Sequence, residues 1–153
     1  MKPLEQIKND LESQISAAVT LEGNSLTVPK EKIQTAARFL KDHADYRMDY
    51  LSCLTGVDYK ECLEVVYHLY SMEKKEGPIV LKVRTDREQA LVPSVTPIWR
   101  GAEFQEREAF DLLGIHFEGH PDLRRILMWD EFEHYPLRKD YVEDDQDRNP
   151  SEF

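Results

Sequence analysis

Two apolar segments in the middle of the chain constrain the fold most. Residues 63–70 read Leu-Glu-Val-Val-Tyr-His-Leu-Tyr, which is typical of a strand buried on both faces. Residues 79–84 alternate in the period of two that a strand requires. The turn Lys74–Pro78 joins the two segments, and so short a link favours antiparallel pairing. The sequence therefore predicts an antiparallel sheet in this part of the chain.

Two amphipathic segments precede this sheet. From Leu4 to Ala18, apolar residues recur at three- and four-residue steps, and a second such stripe follows Pro29. Between them, Val19–Leu21 and Leu26–Val28 flank a Gly-Asn turn and predict two short strands or a hairpin. We therefore expect an α+β fold in which the N-terminal helices pack on one face of the antiparallel sheet.

A third helix is predicted from about Gly101 to Leu113, with Gly114 as its left-handed C-terminal cap. At about 100° per residue, Glu106 falls in the middle of the apolar face of this helix. Arg107, Glu108 and Asp111 fall outside that face. A carboxylate in an apolar stripe costs several kcal/mol unless it is paired or bonded to backbone amides.

We interpret Glu106 as a buried anchor rather than as a proton-active group with a raised pKa, which is the alternative. Arg124, Arg125 and the amides that follow Gly114 are its expected partners.

The segment Ile115–Tyr141 is apolar but shows no steady period, and it contains both glycine and proline. Such a segment is expected to lie on a surface, either of its own chain or of another. We therefore divide the chain into an α+β domain (1–114), a long irregular docking segment (115–141) and an acidic tail (142–153).

Composition excludes several classes of function. The net charge of −10 argues against nucleic acid as the main partner, because phosphate binding needs a basic face. Two cysteines cannot form a disulfide scaffold. His116 and His120 are four residues apart, but the glycine and proline beside them disfavour a zinc-binding helix. No membrane span, signal peptide, phosphate-binding loop or dinucleotide fingerprint is expected.

The third helix and the segment after it carry a family resemblance. The residues are Glu106-Arg107-Glu108-x-x-Asp111-Leu-x-Gly114-Ile-x-Phe117-x-Gly119-His120-Pro121-Asp122-Leu123-Arg124-Arg125. A second block reads Pro136-Leu137-Arg138-Lys139-Asp140-Tyr141. Both resemble the signature of the 30 kDa subunit family of respiratory complex I, whose bacterial members are the C subunits of NADH–quinone oxidoreductase. The match covers about Val92 to Tyr141.

The resemblance implies a non-catalytic α+β subunit on the hydrophilic arm of a proton-pumping NADH–quinone oxidoreductase. It implies no cofactor and no metal in this chain, with flavin and iron–sulfur clusters in partner subunits. The implied partners are the forty-nine-kilodalton and twenty-kilodalton types of subunit, which form the quinone site. They would hold the chain at the cytoplasmic side of the cell membrane. Because the sequence ends soon after the second block, we expect no fused forty-nine-kilodalton subunit.

We also predict roles for individual residues, none of them catalytic. We expect Glu106, Arg107, Asp111 and Gly114 to act as structural anchors. The residues expected to dock on partners are His120, Asp122, Arg124, Arg125, Trp129, Leu137, Arg138, Asp140 and Tyr141. In this hypothesis, leucine and aromatic side chains fill pockets while arginines bond to partner carboxylates.

Two alternatives stay open. Related complexes that use ferredoxin or F420 as electron donor, and membrane-bound hydrogenases, have similar subunits. A more remote alternative is a free-standing enzyme or binding module that uses Glu106 and His120.

Overall fold

The two apolar segments in the middle of the chain form neighbouring strands of one sheet, as predicted. The computed structural model describes residues 1–142. Besides a 3-10 turn at Lys30–Lys32, its elements in chain order are α1 (Leu4–Ile15), β1 (Thr20–Glu22), β2 (Ser25–Thr27), α2 (Ile33–Asp42), β3 (Tyr50–Asp58), β4 (Leu63–Ser71), β5 (Glu76–Thr85), β6 (Leu91–Pro93), α3 (Ala102–Leu113) and β7 (His116–Glu118).

The main sheet has five strands in the order β1-β2-β5-β4-β3. The strands β4 and β5 pair antiparallel as predicted, with Val65 opposite Val83. The strand β3, which was not predicted, pairs antiparallel with the other side of β4, where Gly56 lies opposite Val65. The predicted hairpin of β1 and β2 is also present. The parallel pairing of β2 with β5 was not predicted, because alternation identifies a strand but not its neighbours.

The helices α1 and α2 bury the apolar stripes that the sequence predicts. Their buried residues are Ile7, Leu11 and Ile15 on α1 and Ile33, Ala36, Ala37 and Leu40 on α2. Both stripes share one core with Tyr67 and Leu81 of the sheet. The stripe on α1 is shorter than predicted, because Ser16 adopts a left-handed conformation (φ 51°) that ends the helix before Ala18.

The helix α3 packs against the edge strand β3. A Cβ atom at Gly56 would overlap the Leu113 side chain, so glycine allows the close approach of the two elements. The predicted cap at Gly114 is confirmed: its φ is 72°, and its N–H donates to the carbonyl of Phe110 at 2.8 Å.

The segment predicted to be irregular begins with a strand. Ile115 and Phe117 are buried in the core, and β7 pairs in parallel with β6, with Phe117 opposite Val92. A strand of three residues is too short to show a period in the sequence, so the prediction missed it. Residues 119–142 contain no helix or strand. Of the predicted acidic tail, residues 143–153 lie outside the described residues.

None of the helices within residues 1–142 is both long enough and apolar enough to cross a membrane.

Candidate functional site

Glu106 lies on the core-facing side of α3 and is fully buried, as its position in the apolar stripe predicts. Its Oε1 accepts a hydrogen bond from the backbone N–H of Val95 at 2.7 Å. Its Oε2 accepts one from the Ser94 hydroxyl at 2.6 Å. Glu106 therefore ties the segment that leads into α3 to the helix itself.

The partners predicted for Glu106 are wrong. Arg124 and Arg125 lie against a different side of α3, which a core-facing carboxylate does not reach. The donors available on the core side belong to the segment before the helix, because the chain folds back there as it enters α3. His120 is the other near neighbour, with its Nε2 4.0 Å from Glu106 Oε2.

Burial raises the pKa of Glu106 to about 7, because a charged carboxylate loses its hydration in the core. The hydrogen bonds from Ser94 and Val95 favour the charged form but do not offset this loss. A shift in this direction is one feature of proton-active groups, yet buried structural carboxylates share it.

Asp111 is also fully buried, although the helical projection places it outside the apolar face of α3. One carboxylate oxygen, Oδ2, accepts hydrogen bonds from three consecutive backbone N–H groups, those of Ile126, Leu127 and Met128, at 2.6–2.9 Å. The other, Oδ1, lies 2.7 Å from Nη1 of Arg125. The chain after Arg124 is therefore bound directly to this side of the helix.

These contacts determine the protonation state of Asp111. Burial acts to raise its pKa, but the Met128 N–H, the Arg125 guanidinium and the Leu127 and Ile126 N–H groups outweigh it. The pKa of Asp111 is thereby lowered, and the carboxylate is held in its charged form.

Arg107, one turn earlier on α3, binds the same stretch of chain through its side chain. Its Nε donates to the carbonyl of Arg124 at 3.1 Å, and its Nη2 donates to the carbonyl of Arg125 at 3.2 Å. Arg107 is buried as a result. Asp111 and Arg107 therefore bind the N–H and C=O groups of one backbone segment, which has no helix or sheet to satisfy them.

A second point of attachment lies at the end of β3. Asp58 accepts hydrogen bonds from the backbone N–H of Lys139 at 2.8 Å and of Lys60 at 2.7 Å, and from the Arg87 guanidinium. Arg87 also contacts Asp140, with 2.8 Å between Nη2 and Oδ1. Burial acts to raise the pKa of Asp58, but these donors lower it to about 2.

This second attachment was not predicted from the sequence. Asp58 and Lys139 are 81 positions apart, and Asp58 and Arg87 are 29 apart. No spacing rule links residues so distant. The only local signal was an acidic residue at the end of an apolar strand.

Between the two attachments, the chain follows the C-terminal end of α3. The N–H of Leu137 donates to the carbonyl of Leu112 at 3.0 Å, and Arg138 Nε donates to the carbonyl of Leu113 at 2.7 Å. Tyr135 packs on Gly114, where a Cβ atom would lie 2.6 Å from the tyrosine ring. We call residues 124–142 the C-terminal segment.

The C-terminal segment presents its apolar side chains to solvent. Leu127, Leu137 and Trp129 are 63%, 60% and 59% exposed. Apart from the Tyr135 ring on Gly114, the inward contacts of the segment described above are made by its backbone N–H and C=O groups and by Arg125, Arg138 and Asp140. In an ordinary surface loop, polar side chains face solvent and apolar ones face the protein. Here the arrangement is largely reversed, so that apolar side chains form an exposed surface.

Residues 26–147 match the family described as "Respiratory-chain NADH dehydrogenase, 30 Kd subunit". The chain belongs to this family. It is 50% identical over 120 residues to the C subunit numbered 2 of NADH-quinone oxidoreductase from Rhizobium meliloti, covering 76% of this chain and 65% of that protein. It is 45% identical to the C subunit from a Caulobacter species over 92% of this chain and 69% of that protein. The chain thus spans about two thirds of the length of these relatives.

Two solved structures share the fold of this member of the 30 kDa-subunit family. One is a trypsin-resistant fragment of Nqo5, with 31% identity and a TM-score of 0.56, covering 78% of this chain and 98% of the fragment. The other belongs to the membrane-bound sulfane sulfur reductase, an archaeal respiratory membrane complex. It has 29% identity and a TM-score of 0.72, with 91% of this chain and 85% of that chain covered.

In this member of the family, several residues predicted to dock use their polar atoms within the chain. Arg125 and Arg138 bond to Asp111 and to the Leu113 carbonyl rather than being free for partner carboxylates. The His120 side chain is buried: Nε2 lies 2.9 Å from the carbonyl of Glu103, and Nδ1 accepts the N–H of Asp122 at 3.0 Å. The polar atoms of Arg125, Arg138 and His120 therefore fix the path of the chain, because their hydrogen bonds are made to Asp111 and to backbone groups of the same chain.

The other predicted docking residues differ in exposure. Trp129 and Leu137 are exposed, as docking requires. Asp122 and Arg124 are exposed and pair with each other at 2.9 Å. Asp140 pairs with Arg87, although most of its side chain remains accessible. Tyr141 is partly covered and stacks 6.2 Å from the ring of Phe132.

The two histidines considered as metal ligands are not brought together. His116 is exposed and stacks edge-on against Phe110 at 5.1 Å, whereas His120 bonds to backbone groups near Glu103. Within residues 1–142, no three His, Cys, Asp or Glu side chains are grouped as a metal ion would require. The cysteines Cys53 and Cys62 are free thiols.

Proposed function

We propose that the chain is a non-catalytic subunit in the peripheral arm of a proton-pumping NADH–quinone oxidoreductase, in which it supports assembly of the quinone-reducing module. The relatives named as C subunits of NADH-quinone oxidoreductase support this proposal. In it, the forty-nine-kilodalton and twenty-kilodalton types of subunit bind the chain and hold it at the cytoplasmic side of the membrane. Flavin and iron–sulfur clusters are carried by partner subunits.

The proposal depends most on one observation: the C-terminal segment contacts its own chain mainly through polar groups and exposes apolar side chains to solvent. Its backbone is bonded to Asp111, Arg107 and Asp58, so its path is specified within the chain. Its exposed leucine and tryptophan side chains are apolar anchors of the kind that interfaces bury. A segment held rigidly in advance also loses less conformational entropy on binding.

The geometry gives less support to the alternative of a free-standing enzyme that uses Glu106 and His120. Both carboxylate oxygens of Glu106 are bonded to Ser94 and Val95, and its side chain is fully buried. Both ring nitrogens of His120 lie within hydrogen-bonding distance of backbone groups. A general acid or base must reach a substrate atom within about 3 Å, and neither group is placed to do so.

The second candidate function is that of an equivalent subunit in a related complex whose electron donor is not NADH. The favouring observation is the similarity to a chain of the membrane-bound sulfane sulfur reductase, with 29% identity and a TM-score of 0.72. Affinity purification from the native membrane and identification of the copurifying electron-input subunits separates the two candidates. Subunits that bind NADH and flavin favour the first, and subunits that use ferredoxin or F420 favour the second.

Docking is tested with variants at exposed residues of the segment. We expect Leu127→Asp and Trp129→Ala to lower the amount of assembled complex by about tenfold, while the isolated chains keep their wild-type stability. Met72→Asp is the control, because Met72 is 64% exposed but lies in the turn after β4. Turnover per assembled complex should stay near that of the wild type. Normal assembly of both variants, or normal assembly with lost turnover, would contradict the proposal.

A further inference from the structure

Glu108 is an exposed carboxylate set among apolar side chains on the outer side of α3. Phe104 and Leu112 lie one helical turn before and after it, on the same side of the helix. Phe104 is 60% exposed. Leu137 of the C-terminal segment lines the same shallow groove as Glu108 and Leu112, beside the edge strand β3. A partner that covers Leu137 therefore covers Glu108 as well.

The chain supplies no cation to Glu108 within the described residues. Three arginines on or beside α3 bond to other groups: Arg107 binds two backbone carbonyls, Arg125 binds Asp111, and Arg138 binds the Leu113 carbonyl. The acidic neighbour on the helix, Asp111, has its charge balanced by Arg125. Glu108 is thus an acid of this groove to which the described part of the chain provides no counterion.

Docking would remove this carboxylate from water. A charged group that is buried without a partner opposes binding, and apolar contacts around it would have to offset that loss. A cation placed opposite Glu108 turns the same group into an oriented contact that rejects incorrect partners. The net charge of −10 of the whole chain also favours a basic partner surface over an acidic one.

We propose that the partner protein presents a basic side chain, an arginine or a lysine flanked by apolar residues, to Glu108. This proposal rests on the proposed docking of the C-terminal segment and names the chemistry that the partner must have. Glu108 is the polar determinant of the surface, and Phe104, Leu112 and Leu137 form its apolar surround.

The test measures binding of the purified full chain to membranes from a strain that retains the rest of the complex but lacks this chain. The informative variant is Glu108→Gln, which removes the charge but keeps the shape. If a partner cation faces Glu108, the variant leaves that cation unpaired, and binding weakens by about tenfold or more with a smaller salt dependence. Without such a cation, the variant only removes a desolvation cost, and binding is unchanged or tighter.

Two controls make each outcome decisive. Glu5→Gln removes an exposed acid on α1 and should bind as the wild type does. Leu137→Asp tests the docking surface itself. Loss of binding with Leu137→Asp but unchanged or tighter binding with Glu108→Gln overturns the present proposal and keeps the proposed function. Unchanged binding with both overturns the proposed function. A dimer of the isolated chain that Glu108→Gln dissociates would assign this surface to a second copy and also overturn the proposal.

Discussion

Arg125 and Asp111 form the ionic contact that holds the C-terminal segment on α3. The Arg125 Nη1 atom lies 2.7 Å from Asp111 Oδ1 and 2.8 Å from the Asp111 carbonyl oxygen. The second carboxylate oxygen of Asp111 accepts the three consecutive N–H groups of residues 126–128. One buried carboxylate therefore satisfies both a guanidinium and a stretch of irregular backbone, and the apolar side chains of that stretch are left facing outward.

Asp111→Asn should destabilise the chain by about 3 kcal/mol, the range for breaking a buried charged contact. An asparagine side chain can accept hydrogen bonds at only one oxygen, so either Arg125 or the three N–H groups lose their acceptor. Urea denaturation measures the loss, and faster hydrogen exchange at residues 126–128 locates it. Asp122→Asn is the control: Asp122 forms an exposed pair with Arg124, so this substitution should lower the stability much less. Equal losses would refute the role assigned to Asp111.

Asp58 should make the free energy of unfolding depend on pH in the acid range. Its pKa is about 2 in the folded chain, below the ordinary value of 3.8, so its contribution is complete above that ordinary value. The contribution is lost as pH falls from about 4 through 2, and it amounts to roughly 2 kcal/mol. We expect the free energies of unfolding of the wild type and Asp58→Asn to converge by this amount between pH 5 and pH 2. A gap that stays constant with pH would contradict the assignment.

Glu106 should produce a pH dependence of the opposite sign. Because burial raises its pKa from 4.5 to about 7, the protonated form is favoured by folding. Protonated Glu106 therefore contributes roughly 3 kcal/mol to the free energy of unfolding below pH 4.5, and this contribution is lost as pH rises through 7. Glu106→Gln keeps a hydrogen-bonding side chain beside Ser94 and Val95 without a charge. It should therefore gain stability relative to the wild type between pH 5 and pH 8, as urea denaturation would show. Parallel pH profiles of the two proteins would exclude this account.

Gly114→Ala should lower the stability of the chain more than Gly23→Ala does. Both glycines have positive φ, 72° and 59°, so each alanine pays about 1 kcal/mol of backbone strain. Only at Gly114 does the new Cβ atom meet the Tyr135 ring, whereas nothing lies within 4 Å of it at Gly23. Thermal unfolding should show the additional loss, and Tyr135→Ala in the Gly114→Ala background should recover part of it. Equal costs at the two glycines would show that Tyr135 does not pack on Gly114.

Part of the candidate site could be predicted because its signals are local. The apolar stripe of α3 places Glu106 toward the core, and burial follows from that position. Gly114 is expected at the end of the helix, since a left-handed residue is needed there. The partners of Glu106 could not be predicted, because a stripe gives the direction of a side chain and not the segment that meets it.

Local patterns in the sequence were sufficient to predict several elements of this protein: two N-terminal amphipathic helices, the strands β4 and β5 with the turn between them, the helix α3 with its cap, and the family signature. Each depends on neighbours within a few positions, where periodicity and backbone preference are sufficient. Three features became visible only in the folded chain: β2 pairs with β5 in parallel, Asp58 binds Lys139, and Asp111 binds residues 126–128. Such contacts join distant parts of the chain. They form where burial leaves polar groups that must be satisfied, and no sequence period encodes which groups will meet.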